Sequence, residues 1–309
     1  MNKILFAITL IFLLSCQKSK ENPEVQINIP SEITQVYSDR KDQGLVENVE
    51  IDEASGLGLS LSNQNYLWTH NDSGDEARIF LMDNTGKDWG KVTLTGIKNR
   101  DWEDMALAKD PVNNKNYIYI ADIGDNSLQY STKFIYRIEE PDIQNINSAI
   151  NINIAKSSVD SIRVKYPETN QDAECLLVDY NGDIYILSKE FSQTTLYRAA
   201  FPQSSDIITL EKIGVLPISL VVGGDIQVTG KQILIKTYDK IFLWERPANS
   251  TVPAGKYMLQ NSPKRLPYTR ELQGEAIAWK KDGSYFYTIS EEKQGNTTEE
   301  AHLYGYEKK

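Results

Sequence analysis

Short runs of apolar and β-branched residues alternate with turn residues along most of this 309-residue chain. Runs such as 117–120 (YIYI) and 285–288 (YFYT) are about the length of a strand, and Asn, Gly, Asp and Ser separate them. No convincing amphipathic helical spacing interrupts the pattern. Apolar runs this short, bounded by turn signals, are typical of an all-β domain.

The same three-strand unit occurs five times. Each unit begins with an acidic residue at the start of a short strand, and these acids are 50, 71, 51 and 50 residues apart: Glu53, Glu103, Glu174, Asp225 and Glu275. Second strands follow at 66–69, 117–120, 184–187, 233–236 and 285–288, and third strands at 78–81, 134–137, 195–198, 241–244 and 302–305. The long interval contains the polar stretch 141–158, which we interpret as an insertion. A period of this length indicates a propeller or another repeat architecture.

Four units have a fourth strand, at 91–96, 161–166, 209–216 and 264–270, and the fifth unit ends without one. A spare strand at 33–37 (ITQVY) precedes the first unit. We therefore predict a five-bladed β-propeller in which this N-terminal strand completes the last blade and closes the ring. The alternatives are six or seven blades, with one hidden in the 103–174 interval, or another all-β fold such as two stacked sandwiches.

The N-terminus has the features of a lipoprotein signal. Lys3 precedes an apolar run at 4–14, which as a helix spans about 16 Å and is too short for a hydrocarbon core of about 30 Å. The run ends in LLSC (13–16), which resembles the bacterial lipoprotein cleavage box. We expect a signal peptide at 1–15, a lipidated Cys16 with a tether at 16–31, and one propeller domain at 32–309. The protein would then be lipid-anchored in the cell envelope, outside the cytoplasm, in the periplasm or on the surface. An ordinary signal peptide is the alternative.

Charge and composition exclude some classes of function. The chain has 43 acidic and 33 basic residues, for a net charge of −10. This balance argues against a nucleic-acid polymer as partner, because phosphate binding needs clustered Lys and Arg. Two histidines cannot form a His-rich zinc site.

The repeat predicts where the five acids meet. In a propeller blade the first strand lines the central channel, so Glu53, Glu103, Glu174, Asp225 and Glu275 should form a ring at one end. Their mutual repulsion calls for a proton, water or a cation. An oxygen-only ligand set favours calcium. The alternative is a water-filled acidic funnel whose carboxylates accept hydrogen bonds from backbone amides of neighbouring blades.

The second strands end at the same face, in the most polar segments of the chain. We expect a ligand site there, formed by these residues and aromatic or basic side chains nearby: Asn71, Asp72, Asp75, Arg78, Trp102, Asp125, Asn126, Lys189, Tyr238 and Arg270. His70, Asp122 and Glu190 are candidates for orienting an attacking water. Asp and Asn are also ordinary turn residues, Arg78 can simply pair with Asp75, and a lone His70 can simply be packed.

Five motifs support a resemblance to a known group of proteins. THNDSGD (69–75), DWEDMA (101–106), ADIGDN (121–126), DAECLLVD (172–179) and GEAIAW (274–279) together resemble a family of secreted or lipid-anchored bacterial propellers without an assigned function. More loosely, the plan is similar to calcium-activated nucleotidases of the apyrase type and to phytase and esterase-like propellers. The apyrase resemblance implies a calcium ion in the channel and nucleotide diphosphates at the same end, although the apyrase nucleotide-binding motifs are not matched here.

These observations lead to one main expectation and two alternatives. We expect a monomeric, membrane-anchored lipoprotein that binds a small-molecule, glycan or protein ligand at an acidic, calcium-containing end of the channel. The first alternative is a calcium-dependent hydrolase of phosphoesters or nucleotides. The second is a non-catalytic platform that binds a protein or a glycan.

Overall fold

The computed structural model describes residues 27–309, which form 24 strands, one α-helix and a short 3-10 helix at Lys156–Ser158. The predicted signal peptide and Cys16 lie outside these residues. The first nine strands are β1 (Lys41–Leu45), β2 (Ala54–Leu59), β3 (Tyr66–Asn71), β4 (Arg78–Asp83), β5 (Asp88–Thr95), β6 (Trp102–Lys109), β7 (Asn116–Asp122), β8 (Lys133–Glu139) and β9 (Ile150–Ala155).

The remaining strands follow in chain order, with the five-residue helix α1 (Ala254–Met258) between β18 and β19. They are β10 (Asp160–Lys165), β11 (Ala173–Val178), β12 (Ile184–Ser188), β13 (Thr194–Ala199), β14 (Ile208–Thr209), β15 (Glu211–Leu216), β16 (Val221–Ile226), β17 (Gln232–Thr237), β18 (Ile241–Glu245), β19 (Lys264–Leu266), β20 (Gly274–Trp279), β21 (Tyr285–Ser290), β22 (Lys293–Gln294), β23 (Thr297–Thr298) and β24 (His302–Glu307). No helix within residues 27–309 has the length and apolar character needed to cross a bilayer.

Five sheets form the blades of a β-propeller, as predicted. From the innermost strand outward, the blades are β2-β3-β4-β5-β9, β6-β7-β8-β10-β14, β11-β12-β13-β15, β16-β17-β18-β19 and β20-β21-β24-β1. The residues of the five innermost strands β2, β6, β11, β16 and β20 are all buried, apart from the last residue of β6. We call the face at which these innermost strands begin the upper face.

Apolar side chains hold each blade against the next. Five buried clusters lie between neighbouring blades; Trp68 of the first blade packs with Ile118 of the second, for example, in one of them. The cluster containing Phe80 and Leu303 joins the first blade to the fifth and thereby closes the ring. Burial of this apolar area between sheets is the main favourable contribution to folding.

The ring is closed by a different N-terminal strand from the one predicted. The polar strand β1 pairs antiparallel with β24, from Lys41 opposite Gly305 to Leu45 opposite His302. The segment 33–37 forms no strand: Ile33 forms an isolated bridge with Arg265 of the fourth blade, and Tyr37 forms an isolated antiparallel bridge with Lys308, directly after β24 of the last blade. β1 is the outermost strand of its blade and largely exposed, so its sequence lacks the apolar alternation of a half-buried strand.

The interval between Glu103 and Glu174 contains an insertion, as interpreted, and not a sixth blade. Its strand β9 pairs parallel with β5, from Ile150 opposite Gly90 to Ala155 opposite Thr95. The insertion of the second blade therefore extends the outer edge of the first.

Candidate metal centre

Each innermost strand carries a β-bulge at the same position near its start. The register with the second strand shifts once in every blade, and the skipped residues are Ser55, Glu103, Glu174, Val222 and Glu275. A bulge leaves one residue unmatched and re-aims its side chain. Five equivalent bulges therefore place these five residues at one level of the ring.

Three of the bulge residues form a compact group of carboxylates, here called the acidic triad: Glu103, Glu174 and Glu275. One carboxylate oxygen of each lies within 4.8 Å of those of the other two. All three residues are only 3% exposed. Because they belong to three different blades, the closed ring is what brings them together.

The triad has few hydrogen-bond and ion-pair partners. Lys189 forms a salt bridge with Glu174 Oε1, and the Tyr238 hydroxyl donates to Glu275 Oε1 at 3.0 Å. Glu174 Oε2 is buried without a partner. The Glu103 carboxylate accepts no hydrogen bond from any residue in the 27–309 range. Among the described residues, Lys189 thus forms the one salt bridge to the triad, and the charge of the buried Lys236 also acts on Glu275.

Burial and mutual repulsion make these carboxylates poor acids. Burial raises the pKa of Glu103 well above its usual value, and the charges of Glu174 and Asp72 raise it further. The pKa of Glu174 is also raised well above its usual value, by burial and then by Glu275, although Lys189 opposes the shift. Burial likewise raises the pKa of Glu275. At neutral pH the triad therefore favours a proton or a bound cation.

More acids surround the triad on the upper face. Burial and neighbouring acids raise the pKa of Asp72 to about 7 and that of Glu291 to about 8. Glu53 lies two residues before the Ser55 bulge, is half-buried, and has a raised pKa for the same reasons. Glu53 is therefore near the predicted ring but outside the triad.

Asp225 lies below this level and serves a different purpose. It is three residues beyond the bulge at Val222, and its Oδ2 accepts a hydrogen bond of 2.7 Å from the Trp279 backbone N–H of the next blade. Asp104 likewise accepts a hydrogen bond of 2.8 Å from the Leu176 N–H of the neighbouring blade. The innermost strands have an unpaired edge towards the axis, and these carboxylates accept hydrogen bonds from some of the backbone N–H groups on that edge. Asp225 thus matches the alternative interpretation, a bond between blades.

The acidic loop after β3 is organised by internal pairs. Arg78 forms salt bridges with Asp75 at 2.7 Å and with Glu50 at 2.5 Å. The Asn71 amide donates to the Glu50 carbonyl at 2.6 Å and to Asp75 at 3.1 Å. Asn71, Asp75 and Arg78 therefore hold this loop together, and Asp72 is the acid of the loop whose carboxylate lies within 4.8 Å of the Glu103 carboxylate.

The second-blade loop is organised similarly. Arg100 pairs with the nearly fully buried Asp122 at 3.1 Å. The fully buried Lys133 pairs with Asp125 at 3.0 Å. Asn126 follows on the exposed part of the loop.

The three catalytic candidates do not form one group with the triad. His70 is fully buried, its Nδ1–H donates to the Asn71 carbonyl at 2.9 Å, and its ring packs edge-on against the buried Trp102. Burial lowers the pKa of His70 to about 4, so the ring is neutral at physiological pH. Glu190 accepts a hydrogen bond of 2.8 Å from the Thr195 hydroxyl within its own blade.

Among the predicted ligand-binding residues, Lys189 and Tyr238 bond the triad directly, whereas Arg270 is exposed at the surface. Asp101 and Ser55 are not among the residues predicted from the sequence, whereas Lys236 is expected from its position to neutralise part of the acidic ring. Asp101 is the first residue of DWEDMA, two before Glu103, and this spacing was the available signal. The Ser55 hydroxyl lies 3.3 Å from Glu275 Oε2, and the buried Lys236 ammonium donates to the Gly274 carbonyl.

Comparisons with known proteins find similarity of fold alone. No family model matches the sequence, and no match was found among curated proteins. The PQQ-bound aldose sugar dehydrogenase from Streptomyces coelicolor has 11% identity and a TM-score of 0.46, and the alignment covers 91% of this chain and 99% of that one. A protein assigned as a gluconolactonase has 11% identity and a TM-score of 0.44, with coverage of 89% and 93%. Similarity at this level carries no information on what the present chain binds.

Proposed function

We propose that this chain is a cation-dependent binding protein of the bacterial cell envelope, anchored through Cys16, whose acidic triad holds a calcium ion. The observation that carries the proposal is the triad itself: three carboxylates from three blades, almost completely buried, within 4.8 Å of one another. Two ionised carboxylates about 5 Å apart repel by about 3 kcal/mol at an effective dielectric constant near 20. A group of three is therefore costly unless something neutralises it.

The residues present suit a hard divalent cation. All donors in the triad are oxygens, which calcium and magnesium prefer over softer metals. Glu174 Oε2 is buried without a partner, so a ligand atom is free and already desolvated. With all three carboxylates ionised, the triad and Lys189 carry two negative charges in total, which one divalent cation would neutralise. Calcium is favoured over magnesium because it tolerates irregular oxygen ligand sets.

We place the ligand of this protein on the upper face, above the triad. Lys189 and Tyr238 already bond the triad and are half-buried, so they could contact a bound molecule as well. The chemistry of this surface is anionic with a cation at its centre, which suits a ligand that offers oxygen atoms to that cation. We restrict the proposal to binding because His70 is fully buried. It is the one candidate general base that has an imidazole ring.

Thermal unfolding tests the proposal. We expect the Tm of the chain beginning at residue 27 to rise when calcium replaces a chelator, and to rise less with magnesium, because only binding to the folded state stabilises it. Glu103→Gln should abolish the calcium-induced rise. Glu76→Gln, which removes an exposed carboxylate of the same face, is the matched control and should retain it. An unchanged Tm in calcium would exclude the proposed ion.

The anchor is tested separately. Cells that express the full chain should incorporate radiolabelled fatty acid into the protein, and Cys16→Ser should abolish this labelling. Membrane association that is independent of Cys16 would overturn the lipid anchor and leave the calcium proposal unaffected.

A further inference from the structure

A second group of carboxylates lies beside the triad and shares one member with it. Asp72, Asp101 and Glu103 each place a carboxylate oxygen within 4.8 Å of the other two. Asp72 follows β3 of the first blade, whereas Asp101 directly precedes β6 of the second. We call this group the outer triad, because Asp72 and Asp101 are only half-buried on the upper face.

Hydrogen bonds from Asn99 fix the two outer acids relative to each other. The Asn99 side-chain amide donates to the Asp72 carbonyl at 2.6 Å, and its oxygen accepts from the Trp102 N–H at 3.1 Å. The Asp72 N–H also donates to the Glu53 carbonyl at 2.8 Å. Both segments are thereby tied in place by their backbones. Asp72 Oδ1 accepts a hydrogen bond of 2.5 Å from the Ser73 N–H, whereas the Asp101 carboxylate accepts none from the described residues.

Within residues 27–309 no salt bridge joins the outer triad to a basic side chain, although the charges of Lys133 and Arg100 oppose the burial that raises the pKa of Asp101. Arg100 is paired with Asp122, and Lys133 is paired with Asp125 and with the Gly124 carbonyl. Lys189 reaches Glu174 and forms no salt bridge with Asp72, Asp101 or Glu103. The nearest cationic side chains are thus already used, although the outer triad would carry up to three negative charges.

Two further observations indicate that the outer triad receives a ligand. First, the shared Glu103 is 3% exposed and its carboxylate has no hydrogen-bond donor among the described residues, so its desolvation is uncompensated. Second, the missing side chain at Gly124 lets the Asp101 and Glu103 carboxylates approach its backbone and each other. A Cβ at this position would lie 2.6 Å from Asp101 Oδ2 and closer still to Glu103 Oε1.

We propose that Asp72, Asp101 and Glu103 form a second divalent-cation site, so that Glu103 bridges an inner and an outer ion. The inference rests on the proposed function for the inner ion and extends it to a two-cation centre. The outer ion has fewer buried protein ligands, because Asp72 and Asp101 are half-buried, and it therefore keeps coordination positions for water or for oxygen atoms of an anionic ligand. This makes the outer ion the one that contacts the ligand of the protein.

Counting bound ions tests this proposal without any activity measurement. Equilibrium dialysis against radioactive calcium should give two ions per wild-type chain, one for Asp101→Asn and one for Glu174→Gln. Asp72→Asn should also give one, and it serves as a second test if Asp101→Asn does not fold. Glu76→Gln is the control and should bind two.

The possible results separate this inference from the proposed function. One ion in the wild type that is lost in Glu174→Gln and kept in Asp101→Asn would overturn the outer site and leave the inner one. Two ions in both Asp101→Asn and Asp72→Asn would overturn it as well, since the second ion would then lie elsewhere. No bound ion in the wild type would overturn both.

Discussion

Glu103 and Glu174 belong to adjacent blades, yet their carboxylate oxygens approach within 4.8 Å and both residues are 97% buried. Among the described residues, no hydrogen-bond donor contacts both carboxylates. Lys189 bonds Glu174 and does not bond Glu103. This contact exists because both residues occupy the bulge of an innermost strand. Among the described residues, the two buried carboxylates together have one ammonium partner, that of Lys189.

Lys189→Met should destabilise the calcium-free protein. Without the ammonium group the buried Glu174 loses its ion pair, and removing one partner of a buried pair costs about 3 kcal/mol of unfolding free energy. Calcium should restore most of this loss if it neutralises the same carboxylates. Urea unfolding at pH 8 with chelator and with calcium measures both effects. Lys293→Met, at an exposed lysine of the same face, should change neither value by more than about 0.5 kcal/mol.

The calcium-free protein should become less stable as the pH rises. The pKa of Asp72 is raised from 3.8 to about 7 and that of Glu291 from 4.5 to about 8. At pH values between the unfolded and the folded pKa of each group, the folded protein holds more protons than the unfolded chain. Its unfolding free energy therefore falls from about pH 4 to about pH 8. Urea unfolding across this range in chelator measures the decline. Saturating calcium should flatten it, because the cation replaces the protons. A stability that rises towards pH 8 in chelator would contradict the raised pKa values.

Asp225→Asn should stabilise the protein at high pH and have little effect at low pH. Burial raises the pKa of Asp225 to about 8, so ionising it costs folding free energy, whereas an Asn carbonyl can still accept from the Trp279 N–H. We expect a gain of at least about 1 kcal/mol at pH 9, since each unit of pKa shift corresponds to about 1.4 kcal/mol. Calcium binding should be unchanged. Loss of the calcium-induced rise in Tm would show instead that Asp225 belongs to the ion site.

Removal of β1 should open the ring. A chain that begins at residue 46 loses the partner of β24 and exposes an unpaired strand edge, which favours aggregation. A chain that begins at residue 40 keeps β1 and is the matched control. Both chains lack the buried Tyr37, so only the difference between them reports on β1, and light scattering after gel filtration should show more aggregate for the shorter chain than for the control. Equal urea midpoints for the two chains would contradict the closing role of β1.

The fold was largely predictable from the repeat, whereas the closing strand was not. Five acid-led apolar strands at a spacing near fifty residues define five blades because every blade buries the same strand. β1 could not be predicted in this way, because it is an exposed outer strand and its sequence, KDQGL, lacks an apolar pattern. The more apolar 33–37 segment was favoured for the same reason, although only isolated bridges form there.

The site was predictable in part. Glu103, Glu174 and Glu275 were found because each begins an innermost strand. Asp225 follows a glycine just as Glu275 does, but the bulge of its strand is at Val222. Spacing along the chain does not reveal which residue a bulge skips, and a shift of three positions moves a side chain to another level of the ring. Asp101 and Asp72 come together only through the packing of two blades.

Calorimetric titration with calcium tests the central claim most directly. The account predicts that wild-type protein and Glu76→Gln bind calcium with the same affinity, whereas Glu174→Gln and Glu275→Gln each bind it at least tenfold more weakly, a difference of about 1.4 kcal/mol. Equal calcium affinity in all four proteins, or no heat of binding in the wild type, would contradict a calcium ion held by the acidic triad.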